Sequence, residues 1–241
     1  PFARLLEKKA LKRAILVTAV SRSLQNEIKK YNSETLIVEN GIDPRRIKPI
    51  PSLKSRKKYG LPQKSIIIAY AGLDDPQKVS IDFIIKGYNL LKQKHKDVCL
   101  LLIGDGNPAK VLKVKDNKGV ITFNSLSYDT LMELLSSADV FLLPYKDTPF
   151  TRGSAPYKVS EYMAFSRPIV SSDFGDMRLI LKNMPQLIYK PNDVNDFARK
   201  IELALKIKKV NYAKQLRSMN WDAISGKLHK KLSLMLNAII K

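Results

Sequence analysis

Six apolar runs that alternate with helix-period stretches constrain this chain more than any other feature. They are Ile66-Ile67-Ile68-Ala69-Tyr70, Val98 to Ile103, Gly119 to Phe123, Val140 to Leu143, Ile169-Val170 and Leu187-Ile188-Tyr189. A strand that is apolar throughout must be covered on both faces, which indicates a parallel sheet between helical layers. Between the runs, Phe83, Ile84, Tyr88 and Leu91 share one face of a helix expected from about Ser80 to Gln93. Leu131, Leu134, Leu135 and Ala138 share a face of a second helix, which Ser127 can cap. Further helices are expected after Asp173 and from Asn192 to about Lys208. The fold class is therefore α/β, a Rossmann-like parallel sheet with helices on both faces. Ligands of such sheets lie outside the carboxyl ends of the strands, near a switch in strand order. Gly72, Gly104 to Gly106, Asn124-Ser125, Pro144 and Arg152-Gly153-Ser154 all fall at those ends, although purely structural loop glycines would be placed similarly.

Ahead of this pattern, Ala14 to Val20 and Thr35 to Val38 read as two more strands. Between them a helix starts at Ser21 or Ser23 and runs to about Tyr31. Glu39-Asn40-Gly41-Ile42-Asp43-Pro44 is a turn, and residues 44 to 64, rich in Pro, Lys and Arg, read as a linker with a short helix. Trp221 to Lys241 is one long amphipathic helix whose stripe is Trp221, Ile224, Leu228, Leu232, Met235 and Ile239. His229 lies beside that stripe as a surface residue.

The stretch from Ser154 to Ser171 carries the candidate chemistry. It reads as a loop, a short helix with Pro156 in its first turn, and a strand after Pro168. Val159, Tyr162 and Met163 share the buried face, and Lys158 and Glu161 lie three apart on the surface. Free N–H groups and the positive dipole end at a helix start suit a diphosphate. A carboxylate one turn further in can accept hydrogen bonds from a sugar diol. The competing reading is an amphipathic helix whose lysine and glutamate form a solvated pair.

Lysine and arginine total 43 against 22 acidic residues, a formal net charge of +21. Such an excess favours polyanions. The lysines are scattered, and no arginine-rich arm or aromatic-basic motif marks a specific nucleic-acid site. An anionic membrane face or an acidic partner is the favoured expectation, beside a lysine-rich composition with no specific role. Cys99, within an apolar run, is expected to be a buried free thiol, which fits a reducing compartment. No apolar run approaches a membrane span, and no signal peptide is visible. The chain begins at Pro1 without an initiator Met, so a fragment is expected.

Five segments, in order, carry a resemblance. They are Val38 to Asp43 (VENGID), Ala71 to Lys78 (AGLDDPQK), Leu101 to Gly106 (LLIGDG), Val120 to Asn124 with Ser137 to Pro144 (VITFN, SADVFLLP), and Pro156 to Ala164 with Arg167 to Val170 (PYKVSEYMA, RPIV). Over roughly residues 35 to 225 the chain resembles the carboxyl-terminal half of a GT-B glycosyltransferase of the group 1 type, commonly placed in family GT4. The resemblance implies a cytoplasmic enzyme, at the inner membrane face or free of it, that moves a hexosyl unit from a nucleotide-diphosphate sugar to a glycan or lipid-linked acceptor. It implies a retaining outcome, polysaccharide biosynthesis as the setting, no cofactor and no metal. Glu161 would hold the ribose hydroxyls and Lys78 would neutralise the leaving diphosphate, making these the expected catalytic pair. The Pro156-Tyr157-Lys158 turn would bring backbone amides around the phosphates, Leu126 would flank the base, and Gly72 would lie near the phosphates. Gly104, Asn124, Arg152, Gly153, Ser154 and Ala155 complete the expected donor site.

Three positions depart from the family pattern. Gly153 stands where a second glutamate is usual, Leu73 where an arginine follows the loop glycine, and Ser166 where a glycine precedes the proline strand. Arg152 or Lys158 is the expected substitute for the missing positive charge. Residues 1–48 are expected to be a remnant of an acceptor domain with its linker, 49–220 the nucleotide-sugar domain, and 221–241 a helix crossing back toward the absent domain. Two alternatives stay open. One is a non-catalytic nucleotide-sugar or phosphate-binding module, or a subunit needing a separate acceptor-domain chain. The other is a GT-B epimerase, disfavoured because His95 and His229 lie outside the motif loops. Without its partner domain the chain is expected to self-associate or to bury its unpartnered apolar segments locally.

Overall fold

The computed structural model describes residues 2–72, 75, 77–104 and 118–240. Its centre is a six-stranded parallel sheet: β3 (Ile66–Ala71), β4 (Val98–Ile103), β5 (Val120–Phe123), β6 (Val140–Leu143), β7 (Ile169–Ser172) and β8 (Ile188–Tyr189). The spatial order is β5-β4-β3-β6-β7-β8. Strand order therefore reverses between β3 and β6, which places the expected ligand crevice at their carboxyl ends. β3 and β4 are in register from Ile66 opposite Val98 to Ala71 opposite Ile103. All six residues of β4 are buried, Cys99 included, as double-sided cover requires.

The helices follow their sequence signals. Ser80 caps α4 (Ile81–Lys94) by accepting from the Phe83 amide, and Ser127 caps α5 (Tyr128–Leu135) by accepting from Thr130. α3 (Ser52–Lys58) is the short helix expected in the linker. That segment is anchored rather than loose, because Arg56 is buried at 6% exposure. Its guanidinium donates to the carbonyls of Gln63, Ser65 and Ser137 and pairs with Asp139 at 2.7 Å. Beyond the sheet, α8 (Met177–Ile180) is a single turn, and α9 (Val194–Ala204) is shorter at both ends than expected. Two pieces had no signal strong enough to read: the one-turn α6 (Pro149–Arg152) and α10 (Ala213–Ser218).

A separate two-stranded parallel sheet, β1 (Val17–Ala19) with β2 (Thr35–Ile37), encloses α2 (Arg22–Ile28). Ser21, rather than Ser23, caps α2. Residues 2–13 form α1 (Phe2–Arg13), which the sequence reading did not foresee. No residue of α1 is buried, and Phe2, Leu5 and Leu6 face outward. The long helix α11 (Trp221–Ile240) forms as expected, but its stripe is only partly engaged. Ile224 is buried, whereas Trp221, Leu232, Leu234 and Leu236 are exposed; the Ile239 side chain lies outside the described residues. Lys231 pairs with Glu34 at 2.8 Å, which ties α11 back to the small sheet, and His229 is exposed.

Candidate functional site

The helix α7 (Tyr157–Ala164) organises the crevice. Val159, Tyr162 and Met163 are buried as their spacing required. Tyr162 fixes the helix against the sheet: its ring stacks on Phe141 at 4.3 Å, and its hydroxyl accepts from the Ala71 amide at 2.9 Å. Pro156 is the N-cap, one position before the first helical residue, and no side chain caps this end. The start of α7 therefore presents its positive dipole end to the crevice. Beyond the helix, Ser166 has φ 55 and its amide donates to the Met163 carbonyl at 2.9 Å. That is the left-handed position after a C-cap which glycine fills most readily, so the serine is a strained substitute.

Two glycines form the floor. Gly72 has φ 155, and a Cβ there would stand 2.6 Å from the Tyr70 hydroxyl and 2.9 Å from Lys158 Nζ. At Gly104, φ is 134 and a Cβ would meet the Gly72 carbonyl oxygen at 2.6 Å. The ends of β3 and β4 thus touch backbone to backbone, and Lys158 lies directly over the contact. Lys158 Nζ is also 5.9 Å from the Tyr70 ring centroid. Burial pulls the Lys158 ammonium below the ordinary lysine range; Glu161 opposes this and the nearby Lys78 adds to it. Lys78 pairs with Asp75 at 3.1 Å and lies 5.1 Å from the Phe150 ring centroid. The two lysines expected to meet phosphates are therefore brought into one electrostatic neighbourhood, where like charges favour an anion.

Glu161 is half-buried, and burial pushes its carboxyl above the usual range. A hydrogen bond from Tyr128 and the charge of Lys158 act in the opposite direction. The Arg46 guanidinium lies 5.0 Å from the centroid of the Tyr128 ring. Asp43, Arg46, Tyr128, Tyr157, Glu161 and Trp221 line a cavity of about 190 Å³. The sequence reading gave neither Tyr128 nor Arg46 a role. Nothing local could have done so, because their partners are distant in the chain.

The remaining expected residues divide. Leu126 is half-buried against the core and Asn124 is exposed, both at the end of β5. The Ala155 carbonyl accepts from Asn40 Nδ2 at 2.6 Å, and Ser154 Oγ donates to the Thr151 carbonyl at 2.8 Å. The loop before α7 is thereby tied to the linker and to α6. Arg152 forms a forked pair with Asp147 at 2.6 and 2.7 Å, so its charge is already matched in this structure. Lys158 is the better placed of the two expected substitutes. Gly153 has φ −79, and a Cβ there would meet nothing closer than 3.7 Å, so its glycine is not imposed by crowding. Leu73 lies outside the described residues, as do Asp105 and Gly106. Among the described residues, no group of three His, Cys, Asp or Glu side chains could hold a metal ion. No helix among them is long and apolar enough to cross a membrane.

A family model described as glycosyl transferases group 1 matches residues 64–206, more than half of the chain. No curated protein matches the sequence. Among solved structures, sucrose-phosphate synthase from Thermosynechococcus elongatus is similar with a TM-score of 0.78 at 20% identity, over 99% of this chain and 63% of that one. Anabaena HepE, in complex with UDP and glucose, is similar with a TM-score of 0.77 at 18% identity, over 95% of this chain and 66% of that one. A glycosyltransferase from Rickettsia africae is similar with a TM-score of 0.70 at 17% identity, over 94% of this chain and 65% of that one. The chain spans slightly less than two thirds of the length of these structures. At such identities the likeness is one of fold.

Proposed function

Because the chain belongs to the group 1 glycosyl transferases, we propose that it binds a nucleoside-diphosphate sugar and holds it for transfer to a glycan or lipid-linked acceptor. The observation that carries this reading is the gathering of Lys158, Lys78, the uncapped start of α7 and the half-buried Glu161 at the strand-order switch. In this reading the diphosphate lies over the glycine floor, against the α7 amides and the two ammonium groups. The ribose diol donates to Glu161, and Leu126 flanks the base. Breaking the sugar–phosphate bond builds negative charge on the diphosphate, and fixed cations aimed there lower the barrier. The similar Anabaena structure carrying UDP and glucose supports this class of donor. We take the donor unit to be a hexosyl group and the outcome to be retaining.

The acceptor side belongs to a second domain in this proposal. Residues 1–48 are its remnant, and the outward apolar residues of α1 and α11 are where it packs. Catalysis needs donor and acceptor held together, a contribution of about 7–11 kcal/mol, so the chain alone should bind donor without transferring sugar. A non-catalytic binding module is the second reading. The observation that favours it is Gly153, which offers no carboxylate although a Cβ there would meet nothing closer than 3.7 Å.

Titration calorimetry of the chain against UDP, GDP, ADP and the matching nucleosides tests the proposal. Lys158→Met and Lys78→Met should each weaken the diphosphate far more than the nucleoside. Equal losses for both ligands, or no binding by the parent chain, would contradict phosphate contact.

A further inference from the structure

We propose that Ser21 and Asn40, which lie outside the sheet domain, are positioning residues for the loop that leads into α7. The acceptor side of the chain would then set the seat of the diphosphate. This rests on the reading of α7 and its approach as the place where the phosphates bind. Ser21 Oγ donates to the Gly153 carbonyl at 3.0 Å, and Asn40 Nδ2 donates to the Ala155 carbonyl at 2.6 Å. Both acceptors are backbone atoms, so the two bonds hold the path of the chain rather than the rotamer of a side chain.

A peptide unit is planar, so a carbonyl held at one end holds the whole plane. The plane that Asn40 holds joins Ala155 to Pro156. The ring of Pro156 locks its φ, at −65, and leaves only its ψ, at 125, as a soft angle before Tyr157. Tyr157 is the first residue of α7, and its amide and that of Lys158 are among the free donors of a helix start. Further along α7, the Tyr162 hydroxyl is already fixed on the Ala71 amide. With the helix held there and its entry held by Asn40, the direction of the first two amides is set. Ser21 acts on the same loop two residues earlier. It holds the Gly153–Ser154 plane, whose amide donates to the Thr151 carbonyl at 3.1 Å.

The two donors are themselves anchored. Ser21 is 2% exposed, and its Oγ also accepts from the Leu24 amide at 3.1 Å, so one hydroxyl both caps α2 and grips the loop. Asp176 braces the start of α2 by accepting from the Arg22 amide at 2.5 Å and from the Ser23 hydroxyl at 3.2 Å. Its neighbour Gly175 has φ 49, and a Cβ there would stand 2.8 Å from the Arg152 carbonyl oxygen. Residues 175 and 176 therefore touch the loop and hold α2 at once. Asn40 sits between two backbone anchors, the Val38 amide on the Ala19 carbonyl and the Ile42 amide on the Met219 carbonyl, both at 2.8 Å. Ser21, Asn40, Ala155 and Asp176 line one cavity of about 330 Å³ where these segments meet.

The test uses whichever of UDP, GDP and ADP the parent chain binds most tightly, together with the matching nucleoside. Affinities for both are measured by calorimetry in the parent, Asn40→Ala and Ser21→Ala. In each variant the diphosphate should weaken about three- to tenfold, the factor matching the net worth of one hydrogen bond, while the nucleoside binds as before. Asn32→Ala is the control. Asn32 Nδ2 donates to the Leu11 and Ala14 carbonyls at 2.7 and 2.8 Å, bonds of the same kind that do not reach the loop. It should leave the preference for diphosphate over nucleoside unchanged. Ser21→Ala also removes the α2 cap, so if it unfolds, Asn40→Ala decides, because Asn40 caps no helix. An unchanged preference in Asn40→Ala, with the preference lost in Lys158→Met, would overturn the positioning role alone. Equal losses of preference in Asn40→Ala and Asn32→Ala would overturn it as well. No diphosphate binding by the parent chain would overturn the reading of the α7 approach, and the role of Ser21 and Asn40 with it.

Discussion

Replacing Gly104 by alanine tests whether the crevice floor depends on direct contact between two strand ends. Its φ of 134 belongs to backbone that side chains avoid, a cost of about 1–3 kcal/mol. The added Cβ would also lie 2.6 Å from the carbonyl oxygen and 2.9 Å from the carbonyl carbon of Gly72. Both atoms are backbone, so no flexible side chain can yield. Forced overpacking of this kind costs about 1–3 kcal/mol more, giving about 2–6 kcal/mol in all. For a chain of this length each kcal/mol corresponds to about 2–4 °C, so melting should fall by roughly 4–24 °C. Gly60→Ala is the control: φ is 65 there and nothing lies within 4 Å, so only backbone strain remains. In thermal melts of both variants by circular dichroism, the difference between them reports the clash together with any greater backbone strain at Gly104. Nucleotide affinity should fall only in Gly104→Ala, because moving Gly72 moves Lys158. Equal melting losses in the two variants, with affinity unchanged, would refute the contact.

Arg56→Met leaves Asp139 and three carbonyls without their buried partner, and should cost about 3–5 kcal/mol in urea unfolding. Ser166→Gly should raise stability by about 1 kcal/mol, since φ 55 no longer opposes a side chain; an unchanged melting temperature would count against strain at that C-cap. Glu161→Gln should stabilise the ligand-free chain while weakening nucleotide binding. A carboxyl whose folded pKa lies above its unfolded value contributes stability that is complete below the unfolded value and lost as pH rises through the folded one. The gain in Glu161→Gln should therefore appear only on the alkaline side of that window, and a gain independent of pH would contradict it.

The sheet was legible because its strands are mostly apolar and the helices α4 and α5 carry their own serine caps. Val98 to Ile103 could hardly be anything but a central strand, and Ser80 and Ser127 marked helix starts to the residue. The one-turn α6 escaped because its capping box uses Thr148 with a second threonine, Thr151, in place of glutamate or glutamine. At α1, strong helix formers such as Leu5, Leu6, Lys8 and Lys9 were visible, yet the helix buries none of its residues and so lacked a readable inner face. In the candidate site, Lys158 and Glu161 were readable because they share one helix turn. The Arg46–Tyr128 contact and the Asp147 partner of Arg152 were not, since pairing geometry depends on how separate segments converge.

The most direct test of the account is a crystal structure of the chain with a nucleoside diphosphate bound. The ribose hydroxyls should lie on Glu161, and the phosphates over Gly72 within reach of Lys158 and the first amides of α7. A nucleotide seated instead in the cavity of about 330 Å³ that Arg22, Lys182 and Lys214 help to line, and that shares Ser154, Ala155 and Pro156 with the expected donor site, with Glu161 and Lys158 untouched, would contradict it.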